Sequence, residues 1–119
     1  MDDDAQVRES LESLLKSADF GAAVFSSAEE ALQSAILAEA SCVITDVRMP
    51  GMHGPELQRR IKREYPALPV ILITGHPDEK IRESVLSEGA VALLFKPFDP
   101  NDLLRAIHDA MLYRFHKAI

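Results

Sequence analysis

The sequence predicts an α/β fold, a doubly wound parallel sheet with helices on both faces. Three observations predict it. Helix and strand patterns alternate along the whole chain. The clearest strand, PVILIT at 69–74, is continuously apolar and β-branched, as expected where both faces are covered. The intervening segments carry apolar residues at helical spacing with charges between them. At 119 residues the chain is one domain with room for one core.

A first helix is expected from Asp4, with Val7, Leu11, Leu14, Leu15 and Ala18 inward and Arg8, Glu9, Glu12 and Lys16 between them. Phe20-Gly21 breaks it, and residues 22–25 form a short strand. Ser27, with Glu30 three residues on, makes a capping box that opens a second helix running to about Ala38. CVIT at 42–45 reads as a buried strand ending on Asp46. Pro50, Gly51 and Gly54 mark a loop. A third helix follows Pro55, points Leu57 and Ile61 inward, and stops before Pro66. After the 69–74 strand, Gly75-His76-Pro77 is a loop. A fourth helix starts at Pro77 or Asp78, buries Ile81 and Val85, and stops at Gly89. Residues 92–95 form the last strand. Asp99-Pro100 caps a final helix carrying Leu103, Leu104, Ile107, Ala110 and Met111. Sites in parallel sheets form at the carboxyl ends of the strands, so Asp46, Thr74 and Lys96 are the residues to read for chemistry.

Composition narrows the classes. Nearly half the residues are apolar and about a quarter are charged, as in ordinary globular proteins. The net charge of −6 argues against nonspecific nucleic-acid binding, which needs a cationic face. No apolar run approaches the ~20 residues that span a bilayer, and no secretory leader is visible. The single cysteine, Cys42, makes no internal disulfide and fits a reducing, cytoplasmic setting. It reads as a small core residue. His53, His108 and His116 are scattered and propose no metal site, and His76, two residues past Thr74, reads as an ordinary loop residue. The 113–116 end reads as the last helical turn or the beginning of a linker.

Alone, an Asp after a strand is a common turn cap, and a Thr or Lys at a strand end is ordinary. An acidic start such as DDD is commonly a solvated tail. What carries weight is their shared edge and fixed order. The segments DDD at 2–4 with Arg8, ITDVRMPGMHG at 44–54, PVILITGH at 69–76 and FKPF at 95–98 resemble the receiver domains of two-component response regulators, the CheY-like superfamily. The wording is closest to the FixJ-like branch, whose members commonly carry a DNA-binding output domain; none follows in this sequence. The resemblance covers essentially the whole chain and implies a flavodoxin-like (βα)5 fold.

It also implies roles. Asp46 aligns with the phosphoacceptor, and Asp2 and Asp3 with the acidic pair that holds Mg²⁺. Arg48 aligns with the position whose backbone carbonyl completes the metal shell. Thr74 aligns with the switch hydroxyl and Lys96 with the family's lysine, whose bond to the following proline, here Lys96-Pro97, is usually cis. A sensor histidine kinase would phosphorylate Asp46. The altered surface, residues 81–115, would bind or release an output partner. The chemistry agrees: phosphoryl transfer needs an in-line nucleophile and neutralised oxygens, and clustered carboxylates are costly without a cation. The phosphoryl group brings about −1.5 to −2 of charge, to which Thr74 can donate a hydrogen bond.

Two departures stand out. The family's inward-rotating aromatic, three residues before the lysine, is Leu93 here; Phe95 shares its strand face by period-two alternation. Phe95 reads more simply as core. The family's first, central strand would precede Asp2, where this sequence has only Met1. The gap is expected to be closed by dimerisation, by exchange of an element between chains, or by residues beyond this sequence. Direct pairing of the flanking strands would displace Asp2 and Asp3. Two rival readings remain open. A phosphatase using Asp46 would need a second aspartate two residues on, where Arg48 stands. A degenerate receiver would act as an interaction module without phosphorylation.

Overall fold

The structure, a computed structural model, describes residues 1–76 and 78–118, with side chains through Leu112. The element order is α1 (Ala5–Ser17), α2 (Ala28–Gln33), a 3₁₀ turn (Ile36–Ala38), β1 (Val43–Asp46), α3 (Gly54–Glu64), β2 (Val70–Thr74), α4 (Glu79–Ser87), β3 (Ala92–Phe95) and α5 (Pro100–Ala118). The three strands form one parallel sheet in the order β1-β2-β3. Asp46 pairs with Ile73, and Thr74 with Phe95, so the strands end together at one edge.

The period-two alternation of β2 splits the core. Val70 and Leu72 join Leu57, Ile61, Val85 and Leu93 on the face covered by α3 and α4. Ile71 and Ile73 join Leu11, Leu103, Ile107 and Ala110 on the face covered by α1 and α5. All five residues of β2 are buried, which is why its sequence is apolar without alternation. This is the doubly wound arrangement of the flavodoxin-like fold.

Helix ends are set by local chemistry. Asp4 caps α1 by accepting the Gln6 N–H, and Asp78 caps α4 by accepting from Lys80 and Ile81. Pro77, the other expected start of α4, lies outside the described residues. Gly89 stops α4 at φ +104°, with its N–H donating to Leu86 O and the Ala90 N–H to Val85 O, a paired C-terminal closure. The end of α1 differs from expectation. Asp19, not Gly21, takes the left-handed position at φ +65°, and the Phe20 N–H closes back onto Leu15 O. Asp is among the few residues that tolerate this conformation.

The second helix is shorter than the sequence predicts. Ser27 Oγ accepts the Glu30 N–H, but Glu30 Oε2 takes the Ser26 hydroxyl and not the reciprocal half of a capping box. The helix ends at Gln33 because Ser34 Oγ donates to Ala31 O and accepts the Ile36 N–H, a local alternative to helix continuation. Ala35 then turns left-handed at φ +61°.

The strand expected at residues 22–25 does not form, and among the described residues the sheet has three strands where the sequence predicts four. The reason is the lack of a partner. Only Met1 and Asp2 lie between β1 and residue 25. The Met1 ammonium donates to Ile44 O, Asp46 N–H donates to Met1 O at 2.9 Å, and Asp2 N–H donates to Phe25 O at 3.2 Å. Behind these two residues is a groove of about 480 Å³, lined by Leu11, Phe20, Phe25, Cys42, Ile44 and Met111 among others. The flanking segments do not close up, so Asp2 keeps its place beside Asp46. Among the described residues, no helix is long and apolar enough to cross a membrane.

Candidate functional site

The site is built where Met1–Asp2 bridge two segments and where β1 and β3 end. Asp46 is the last residue of β1 and is 7 % exposed; Asp2 is fully buried. Lys96 follows β3, and its bond to Pro97 is cis. Its Nζ donates to Asp2 Oδ2 at 2.8 Å and to Asp46 Oδ2 at 3.0 Å. One ammonium therefore bridges two buried carboxylates. Their other oxygens take backbone donors, the Asp4 N–H on Asp2 Oδ1 and the Arg48 N–H on Asp46 Oδ1. Arg8 Nη1 donates to the Asp2 carbonyl at 2.8 Å and ties α1 to the same corner.

Burial pushes the Asp46 carboxyl above its ordinary range; Lys96 pulls it down and Asp2 pushes it further up. Burial would depress the Lys96 ammonium, yet its bonds to Asp2 and Asp46 hold it above the ordinary lysine value. Lysine and carboxylates are thus mutually dependent: removing the cation leaves two carboxylates without compensation.

Asp3 is exposed, but its carboxylate completes a cluster with Asp2 and Asp46 whose oxygens lie within 4.8 Å of one another. An all-oxygen donor set, with an exposed ligand leaving access for water, fits a hard divalent cation such as Mg²⁺. Arg48 is held there by its N–H to Asp46 Oδ1. Thr74 ends β2 and is buried, and its Oγ1 accepts the His76 N–H at 3.1 Å. The structure brings Asp2, Asp46 and Lys96 into contact. It sets Asp3 and Arg48 beside them and Thr74 on the same edge, with its hydroxyl engaged by the following loop.

Leu93 and Phe95 lie on one face of β3, as expected: Leu93 is buried and Phe95 packs half-buried against the same core. The Arg82 guanidinium covers the Phe95 ring 5.8 Å from its centroid. Sequence reasoning missed the close approach at Gly54. A Cβ there would sit 2.4 Å from Asp46 O, so only glycine lets α3 start under the site. Its place at the end of the 44–54 motif was the available signal. The Arg8 bond to Asp2 was also missed; the one-turn spacing from the acidic run hinted at it.

A carboxylate cluster spanned by one lysine, at the strand ends of a doubly wound parallel sheet, defines the receiver class of signalling domains. The chain belongs to the response regulator receiver domain family, whose model matches residues 1–108. It is 40 % identical over 111 residues to the transcriptional regulatory protein FixJ of Bradyrhizobium diazoefficiens, covering 93 % of this chain and 54 % of that protein. It is 39 % identical over 111 residues to the response regulator protein TodT of Pseudomonas putida, covering 93 % of this chain and 49 % of TodT. The chain thus spans about half the length of these relatives. Among solved structures, a receiver domain protein from Clostridium thermocellum superposes with a TM-score of 0.89 at 32 % identity, covering 99 % of this chain and 94 % of that one. The FixJ-N crystal structure gives 0.83 at 34 % identity, covering 94 % and 90 %.

Proposed function

We propose that this domain is a phosphorylation-controlled switch in which Asp46 accepts a phosphoryl group from the phosphohistidine of a sensor kinase. The observation that carries the reading is the Lys96 ammonium bridging Asp2 and Asp46 at 2.8 and 3.0 Å. An Asp46 oxygen attacks phosphorus in line; the O–P bond of an acyl phosphate forms and the P–N bond of the donor breaks. Lys96 neutralises charge on the nucleophile before transfer and on the phosphoryl oxygens after it. Asp2, Asp3, Asp46 and the Arg48 carbonyl would hold Mg²⁺, which would supply further charge neutralisation.

The new charge alters the edge. Thr74 now accepts the His76 N–H, and its own O–H remains a donor for a phosphoryl oxygen. Turning that hydroxyl releases the His76 N–H from its acceptor. The readout surface is α4, β3 and α5, within residues 81–115. The output is a partner protein or an attached domain. The FixJ and TodT relatives support a regulatory output, and the setting is cytoplasmic. The domain catalyses its own phosphorylation and slow dephosphorylation and has no separate substrate.

The test compares Mg²⁺-dependent labelling by acetyl phosphate with hydrolysis of a generic phosphate ester, following amide NMR shifts of α4, β3 and α5. The switch requires labelling, no turnover of the ester, and shifts on that surface. Turnover of the ester would favour a phosphatase, against which Arg48 stands two residues after Asp46. Failure to label would favour an interaction module that does not use phosphate.

A further inference from the structure

The segment 47–53 leaves the site and turns into α3, and it carries Arg48. Its start is fastened to β2 and its end folds back on its start. Val47 N–H donates to Ile73 O, Gly54 N–H donates to Val47 O, and Met49 N–H donates to His53 Nδ1. Its tip is fastened from elsewhere. Met52 N–H donates to Glu29 Oε1 at 2.6 Å, across 23 positions of sequence. Gly51 takes φ +78°, and a Cβ there would meet the same Oε1 at 2.8 Å. The carboxylate therefore lies against the bare face of the glycine and holds the tip by a charge-assisted bond. The Met52 N–H in turn holds the Glu29 carboxyl below its ordinary range, so it is ionised at neutral pH. Glu30, its neighbour, makes no such bond; its carboxylate takes the Ser26 hydroxyl.

We propose that Glu29 is a positioning residue for the cation site, clamping the 50–52 tip to α2 so that the Arg48 backbone stays directed at Asp46. The inference rests on the functional reading above. It assigns a role to a carboxylate outside the acidic cluster, acting through the loop and never touching the cation. The positive φ favours glycine at the tip, and a side chain there would push the Glu29 carboxylate aside.

The test uses the full chain and three variants, Glu29→Ala, Glu29→Gln and Glu30→Ala, each first checked by thermal melt. Two quantities are read: hydrogen exchange of the Met52 amide, and Mg²⁺ affinity from NMR titration of the Asp46 and Arg48 amides. The bond is solvent-exposed, so its loss in Glu29→Ala should speed Met52 exchange and weaken Mg²⁺ binding by about two- to fivefold. Glu29→Gln, which keeps the acceptor oxygen, should recover most of both, and Glu30→Ala should match the parent. Faster Met52 exchange with unchanged Mg²⁺ affinity would overturn the proposal, as would unchanged exchange. A parent chain that shows no Mg²⁺-dependent shift would sink the functional reading itself, a failure visible without any variant.

Discussion

Replacing Lys96 by methionine keeps the bulk of the side chain and deletes its charge. The consequence follows from the geometry. Asp2 and Asp46 carboxylate oxygens lie within 4.8 Å of one another, and Lys96 joins them. At that separation two unit charges repel by roughly 1 kcal/mol in water and roughly 3.5 kcal/mol at an effective dielectric of about 20. The Lys96 side chain is 24 % exposed, so solvent screens part of this. The expected loss of stability without divalent cation is about 1–3 kcal/mol at neutral pH. The pH dependence has a definite sign. The Asp46 carboxyl is raised in the folded state by burial, and losing Lys96 raises it further. A carboxyl raised on folding favours the folded state while protonated and loses that contribution as pH rises through its folded value. The deficit should therefore be full at neutral pH and shrink on acidification. Mg²⁺ replaces the missing charge, so the variant should gain more stability from it than the parent does. Urea unfolding with EDTA or Mg²⁺, at neutral and mildly acidic pH, reads all of this. A loss that is the same with and without Mg²⁺ and at both pH values would refute the electrostatic account and make Lys96 a packing residue.

Three further outcomes are expected. Gly54→Ala should destabilise by at least about 2 kcal/mol in a denaturant melt, because its Cβ meets the Asp46 carbonyl at 2.4 Å; a variant as stable as the parent would remove the close-approach argument. Burial pushes the Cys42 thiol up to about 12, so its thiolate fraction at pH 8 falls roughly a thousandfold below that of a free thiol, and an aromatic disulfide reagent should modify it far more slowly in the folded chain than after unfolding; equal rates would refute this. Adding four apolar β-branched residues ahead of Met1 should raise stability by ~2–5 kcal/mol after the ordering cost, because the groove of about 480 Å³ beside β1 accepts a strand; an unchanged melting temperature would show that the groove does not take one.

The sheet edge was legible in the sequence because its residues are bound to strand ends. Strands β1, β2 and β3 are short apolar runs, and whatever follows such a run in a parallel sheet falls at the same edge. Asp46, Thr74 and Lys96 were placed by that rule. Residues 22–25 misled because an apolar stretch is a strand only if something pairs with it, and pairing is a tertiary property. The left-handed turns at Asp19 and Ala35 were invisible because neither residue advertises the conformation as glycine does. The bridging of Asp2 by Lys96 joins residues 94 positions apart, and spacing alone carried no sign of it. Glu29 carries no signal in the sequence; its bond to the Met52 N–H depends on where the 50–52 tip lands.

The most direct test of the central claim is intact-mass spectrometry of the chain after incubation with acetyl phosphate. Parent and Asp46→Asn are compared with Mg²⁺ and with EDTA, and the modified residue is located by borohydride reduction and peptide mapping. The account predicts one phosphoryl increment in the parent with Mg²⁺, little or none with EDTA, none in Asp46→Asn, and the label at Asp46. An increment of equal size in Asp46→Asn, or a label mapped to another residue, would contradict it.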